Sequence, residues 1–161
     1  MTMPANAAVS RSKVRNTILV GSDFSRPARR ALMQALSLAR QGDAGVMVLH
    51  VIHTPDLEEL AMLAGVTAPA LRERLVKERR ERLAELVTET QEDRGDVPVE
   101  TIIAWGHPYE VILKKASDAA VSLIVLGTAG PSADIERALF GSTAEKVLRS
   151  AACPVLCVPG E

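Results

Sequence analysis

Leu123-Ile-Val-Leu-Gly-Thr-Ala-Gly130 and, ten residues further on, Gly141-Ser-Thr-Ala-Glu-Lys-Val-Leu-Arg149 are the segments that decide the fold. The first opens as a short, nearly unbroken apolar run, the pattern of a strand buried on both faces. It runs directly into glycines, and the Ser142-Thr143 pair then opens a helix reaching Ser150. Strand, glycine loop and helix follow in that order, and the segment after them, Val155-Leu-Cys-Val158, is again a strand.

The same grammar extends upstream. Thr17-Ile-Leu-Val-Gly21 is a β-branched apolar run followed by Ser22, Asp23 and Ser25, which can cap what comes next. Between Pro27 and Arg40, Ala28, Ala31, Leu32, Ala35, Leu36 and Ala39 recur at helical spacing, and Gly42 is the expected stop. Val46 to Ile52 is a second buried strand, closed by Pro55 and Asp56. From Asp56 to Arg94 the spacing is helical, interrupted around Gly65 to Pro69, with Leu71, Leu75, Leu83, Leu86 and Val87 as the apolar stripe of a heavily charged segment. Val97 to Ala104 is a third strand whose Pro98 suits a sheet edge, and Gly106-His-Pro-Tyr-Glu110 turns into a helix ending near Asp118. Five such strands alternating with four helical segments specify a doubly wound α/β fold, a five-stranded parallel sheet with helices on both faces, for which the order 3-2-1-4-5 is expected. In that order the winding reverses between the first and fourth strands, and ligands bind outside their carboxyl ends.

Composition bounds the function. At 161 residues with 47% hydrophobic residues, one domain over residues 15–161 is expected, preceded by a flexible tail over 1–14. Nineteen basic against 20 acidic residues give no field to attract nucleic acid or an anionic membrane, and 2% aromatic residues leave few rings for base stacking. No apolar run approaches the roughly 20 residues that span a bilayer, and no compact apolar block marks a secretory signal, so a soluble, cytoplasmic protein is expected. Cys153-Pro-Val-Leu-Cys157 reads as strand, which holds the two cysteines too far apart for a disulfide.

The residues at the winding reversal are Gly21-Ser22-Asp23 after the first strand and Gly127 to Gly130 after the fourth. Glycines let backbone approach an anion, and the amides at the Ser142 helix start, with the Ser142 and Thr143 hydroxyls, favour negative charge. A phosphate cradle and a plain glycine turn with a Ser/Thr cap are both compatible with this pattern. No lysine follows Gly141 directly, so it is not a P-loop, and no Gly-x-Gly-x-x-Gly follows the first strand. His50, His53 and His107 lack complementary metal-ligand spacing and read as structural or surface residues. Ser22, Ser25 and Ser142 have no His and acid partner at recognisable spacing, so no catalytic residue is assigned.

Thr17-Ile-Leu-Val-Gly-Ser-Asp23, Val48-Leu-His-Val51, Gly106-His-Pro108, Leu123 to Gly130 and Gly141 to Arg149 with the Cys153-Pro-Val-Leu156 strand together resemble the universal stress protein family, from Val14 to Pro159. The resemblance implies an adenine nucleotide alpha hydrolase-like fold and a crevice for ATP, or for ADP or AMP, with Mg2+ possible alongside ATP. It implies that Asp23, beside Ser22, contacts the adenosine part and that the backbone of Val51 reads the adenine edge. Leu126, Gly127 and Gly130 approach ribose and phosphate in that reading, and Gly141, Ser142 and Thr143 hold the phosphates. The sequence departs from the family pattern in two ways: ten residues separate Gly130 from Gly141 where nucleotide-binding members have nine, and Pro131 stands where a basic residue is common. Arg137, four residues before Gly141, is the candidate to supply that charge. The family further implies a stress-response regulator, at most a slow ATP hydrolase, and a homodimer through the C-terminal strand. The alternative is a dimeric interaction protein of the same fold that binds no nucleotide.

Overall fold

Three of the apolar runs carry large side chains on both faces of the strand, and in the computed structural model, which describes residues 16–128 and 141–160, both faces are covered. The chain order is β1 (Asn16–Gly21), α1 (Arg26–Gly42), β2 (Ala44–Ile52), α2 (Leu57–Leu63), α3 (Ala68–Glu89), α4 (Gln91–Arg94), β3 (Val99–Trp105), α5 (Pro108–Asp118), β4 (Leu123–Thr128), α6 (Gly141–Ser150) and β5 (Val155–Pro159). The strands form one parallel sheet in the expected order, β3-β2-β1-β4-β5.

Alternate residues of the three inner strands serve opposite layers. Ile18, Val20, Val46, Val48 and Val125 pack with Leu32, Leu36 and the small residues of α1, and with Leu83 and Leu86 of α3. Leu19, Met47, Leu49, Ile124 and Leu126 pack with Ile112 and Ala116 of α5 and with Ala144 and Val147 of α6. A one-residue slip of any inner strand would exchange these sets, so the register is fixed by shape on both sides. The expected apolar stripe of α3 narrows to Leu83 and Leu86, since Leu71, Leu75 and Val87 stay partly exposed.

Several boundaries differ from the sequence reading. Gly42 lies inside α1, and the stop is Asp43, in the left-handed region (φ 50°, ψ 48°) with its N–H bonded to the Ala39 carbonyl. Aspartate tolerates that conformation better than most residues, which lets it stand where glycine was expected. β3 begins at Val99 because the Val97 N–H is taken by the Arg94 carbonyl at 3.2 Å. α6 begins at Gly141 and β5 at Val155, so Cys153 precedes the last strand; both cysteines are free thiols. The helical region between β2 and β3 breaks at Ala64 to Thr67, close to the interruption expected around Gly65 to Pro69, and breaks again at Thr90. The expected N-terminal tail lies outside the described residues.

Candidate functional site

β1 is the pivot of the sheet, flanked by β2 on one side and by β4 on the other. Past its last residue the two neighbours diverge, because the β1–β2 pairing ends at Gly21 and Leu49 while β2 continues beside β3 to Ile52 and Trp105. The crevice left there has two parts. An inner chamber of about 140 Å³ is lined by Ser22, Asp23, Val51, Leu126, Gly127 and Thr143, with Ala28, Leu49, Pro108, Ile112 and Ala144 completing its walls. An outer chamber of about 380 Å³ shares Asp23, Gly127 and Thr143 and adds Gly141 and Ser142. Small-molecule sites span roughly 300–1,000 Å³, so the two chambers together suit an extended ligand with one group in each.

Each wall has a local cause. The Ser22 N–H bonds the Leu49 carbonyl at 2.9 Å, which carries the turn after β1 across the end of β2. Residues two apart on a strand direct their N–H and C=O to the same side. Because the Leu49 carbonyl faces β1, the N–H and C=O of Val51 face the same side one step beyond the last β1–β2 pair, beside the inner chamber. Asp23 is exposed, and its Oδ1 accepts the Ser25 N–H at 2.9 Å. Ser25 caps α1 by accepting the Ala28 N–H at 3.3 Å.

Gly127 is glycine for a structural reason. A Cβ there would lie 2.3 Å from the Pro27 carbonyl carbon and 2.6 Å from the Ala28 nitrogen, so the start of α1 rests directly on the end of β4. Gly141 has nothing within 4 Å of a built Cβ, but its φ of +69° is one that side chains disfavour. It turns the chain into α6, whose first amides, with Ser142 and Thr143, border the outer chamber. No basic side chain is among the described residues of either lining, so what these residues present to an anion is amides, hydroxyls and the positive end of α6.

The structure therefore gathers Ser22, Asp23, Val51, Leu126, Gly127, Gly141, Ser142 and Thr143 around one crevice. Gly130 and Arg137 lie outside the described residues. Sequence reasoning missed Pro108 and Ile112 as walls; Gly106-His-Pro108 was the available signal, whereas Ile112 looks like any core residue. Nor did it pair His53 with His107, whose ring centroids lie 4.6 Å apart while the His53 Nδ1 lies 3.2 Å from the Gly106 carbonyl oxygen. Among the described residues no three potential ligands gather as a metal site. His50 faces away from the crevice, under α3; burial is the main influence pushing its pKa below 6.5, and Arg79 and Arg82 add to it, against the hydrogen bond to Ser22. No helix among the described residues is long and apolar enough to cross a membrane.

Residues 15–159 match the model of the universal stress protein family. The chain belongs to that family. Universal stress protein YxiE of Bacillus subtilis is 33% identical over 148 residues, covering 89% of this chain and 98% of its own length. The solved structure of MJ0577 of Methanocaldococcus jannaschii superposes with a TM-score of 0.74 at 27% identity, over 91% of this chain and 96% of that one. A universal stress protein of Archaeoglobus fulgidus, solved in complex with dAMP, shares the fold with a TM-score of 0.64 at 23% identity, over 90% of this chain and 98% of that one.

Proposed function

We propose that this universal stress protein binds an adenine nucleotide, ATP above all, in the two-part crevice, and acts as a nucleotide-responsive regulator. The observation that carries the reading is the junction of two chambers at the winding reversal, one set against the strand ends with Leu49, Leu126 and Ile112 among its walls, the other bordered by a helix N-terminus. Adenine suits the inner chamber, where Leu49, Leu126 and Ile112 offer apolar walls and the Val51 backbone offers one donor and one acceptor. Asp23, with an acceptor oxygen beyond the one used by Ser25, suits the ribose hydroxyls. The Gly141–Thr143 amides and hydroxyls suit the phosphates, and Mg2+ would accompany the triphosphate. The dAMP complex of the Archaeoglobus protein supports an adenine ligand for this fold. Among the described crevice residues Asp23 alone is titratable, so rapid hydrolysis has no acid–base pair to support it.

The edge strand β5 supports a second element of the proposal, a homodimer. Val155, Leu156, Cys157 and Val158 are only half-buried, and β5 pairs on one side with β4. A second β5 about a twofold axis would satisfy the open edge and cover those side chains.

Thermal unfolding with ATP, ADP and AMP tests the nucleotide reading. A ligand held by the native state alone at 100 times its Kd adds about 2.7 kcal/mol, which raises Tm by roughly 5–10 °C for a chain of this size. An unchanged Tm at millimolar concentrations of all three overturns it.

A further inference from the structure

Phe24 is an unusual residue on which to build a binding loop. It follows Ser22 and Asp23 directly and adopts φ 66°, in the left-handed region, where an aromatic side chain is strained. Strain of this kind persists only where the surroundings over-determine it, and here they come from the face of the sheet opposite the crevice. The Phe24 ring stacks on the His50 imidazole with centroids 4.4 Å apart, and the Arg82 guanidinium of α3 lies 4.2 Å from the Phe24 ring centroid. His50, 8% exposed, also reaches the loop through its backbone, its Nδ1 standing 2.7 Å from the Ser22 carbonyl oxygen. Since that oxygen only accepts, Nδ1 carries the proton and donates. The Phe24 N–H in turn donates to Ser22 Oγ at 3.3 Å.

We propose that Arg82 and His50 are positioning residues: together they hold Phe24 in its left-handed conformation and so set the Ser22–Asp23 wall of the crevice. No α3 residue lines either chamber, so Arg82 acts through Phe24 and not by touching the ligand. When the clamp is loosened the loop spends part of its time in relaxed conformations, and the apparent affinity for adenosine falls by the fraction of chains that remain competent. α3 thereby becomes a handle on the crevice, since whatever engages Arg82 from outside releases the loop. The inference rests on the proposed adenosine site for its functional consequence, but the clamp itself is a property of the ligand-free chain.

The experiment is a double-mutant cycle read with adenosine, which lacks phosphates and so ignores any direct pull of Arg82 on charge. Glycine adopts φ 66° without strain, so Phe24→Gly removes the need for a clamp. Arg82→Ala is expected to weaken adenosine binding about fivefold in the natural sequence, by population shift, and to change it by less than about 1.5-fold in the Phe24→Gly background. His50→Asn, which keeps a donor near the Nδ1 position, is expected to retain affinity, whereas His50→Leu is expected to lose it. Amide exchange of Phe24 and Ser25 in ligand-free protein supplies the second readout, accelerated by Arg82→Ala while the amides of β1 and β4 stay protected. Equal loss of affinity in both backgrounds, or unchanged Phe24 and Ser25 exchange in Arg82→Ala, overturns the clamp. Absence of adenosine binding to the natural chain overturns the binding reading instead, and amide exchange then decides the clamp alone.

Discussion

Gly127 and Gly141 belong to one glycine-rich motif, yet the two ends of the crevice use them for opposite reasons. Gly127, on the inner wall, has no room for a side chain because the backbone of Pro27 and Ala28 occupies the position. Gly141, on the outer rim, has open space around it and is set apart only by its positive φ. The inner wall is thus continuous with the hydrophobic core: the helix that Gly127 supports is α1, whose buried face includes Leu32 and Leu36. The rim depends on the start of α6, where Gly141 and Ser142 are exposed. A motif that looks uniform in sequence divides into a part that maintains the fold and a part free to serve a ligand.

Substitutions should separate the two. The largest effect is expected from Gly127→Ala, whose methyl group meets backbone that cannot yield without moving α1. Overpacking of this kind costs about 1–3 kcal/mol, and a loss of at least ~2 kcal/mol in urea unfolding is expected for this site. A variant as stable as the parent would show that α1 does not rest on β4 as described. Next comes the rim pair Ser142→Ala with Thr143→Ala, expected to weaken ATP about tenfold, the order of one or two hydrogen bonds to a charged group. Adenosine affinity should stay within about twofold and stability within ~0.5 kcal/mol, as for ordinary surface positions. Equal loss for ATP and adenosine would remove the rim from phosphate binding. Gly141→Ala is expected to cost about 1 kcal/mol from the left-handed backbone alone, well below the cost at Gly127 despite the identical chemical change.

The smallest effect is a pH dependence arising behind the inner wall. Burial holds the His50 pKa below 6.5, so the native state favours neutral imidazole. As pH falls through 6.5 toward the folded value, unfolded chains bind a proton that the native chain resists, and stability declines. His50→Asn should flatten this part of the curve between pH 7.5 and 5.5 in urea midpoints, relative to the natural sequence. The same acid slope in both proteins would mean that His50 is not the group responsible.

The sheet was legible because β1, β2 and β4 are short apolar runs bounded by turn residues, and because Pro98 marked an edge strand. The boundaries that were misread depend on particular backbone bonds. Asp43 stops α1 through a left-handed cap, and the Arg94 carbonyl delays β3 to Val99, and neither leaves a hydrophobic pattern. For the crevice, Asp23, Val51 and the Gly141–Thr143 segment were found from the resemblance and the winding reversal, and they do meet in space. What sequence could not provide was the purpose of Gly127, because a glycine required by the backbone of Pro27 and Ala28, far back along the chain, looks the same as one required by a phosphate. Phe24 was equally silent, since no pattern in Ser22-Asp23-Phe24-Ser25 announces a positive φ, and its partners His50 and Arg82 come from distant elements.

Isothermal titration of the natural chain with ATP, and in parallel with GTP, tests the account most directly. The proposed placement of adenine in the inner chamber and of phosphates at the rim requires one ATP site per chain, with GTP at least tenfold weaker, the discrimination expected when a purine's hydrogen-bonding edge is mismatched against the Val51 backbone. Heats for ATP and GTP that match, or no heat for ATP at millimolar concentration, would contradict it.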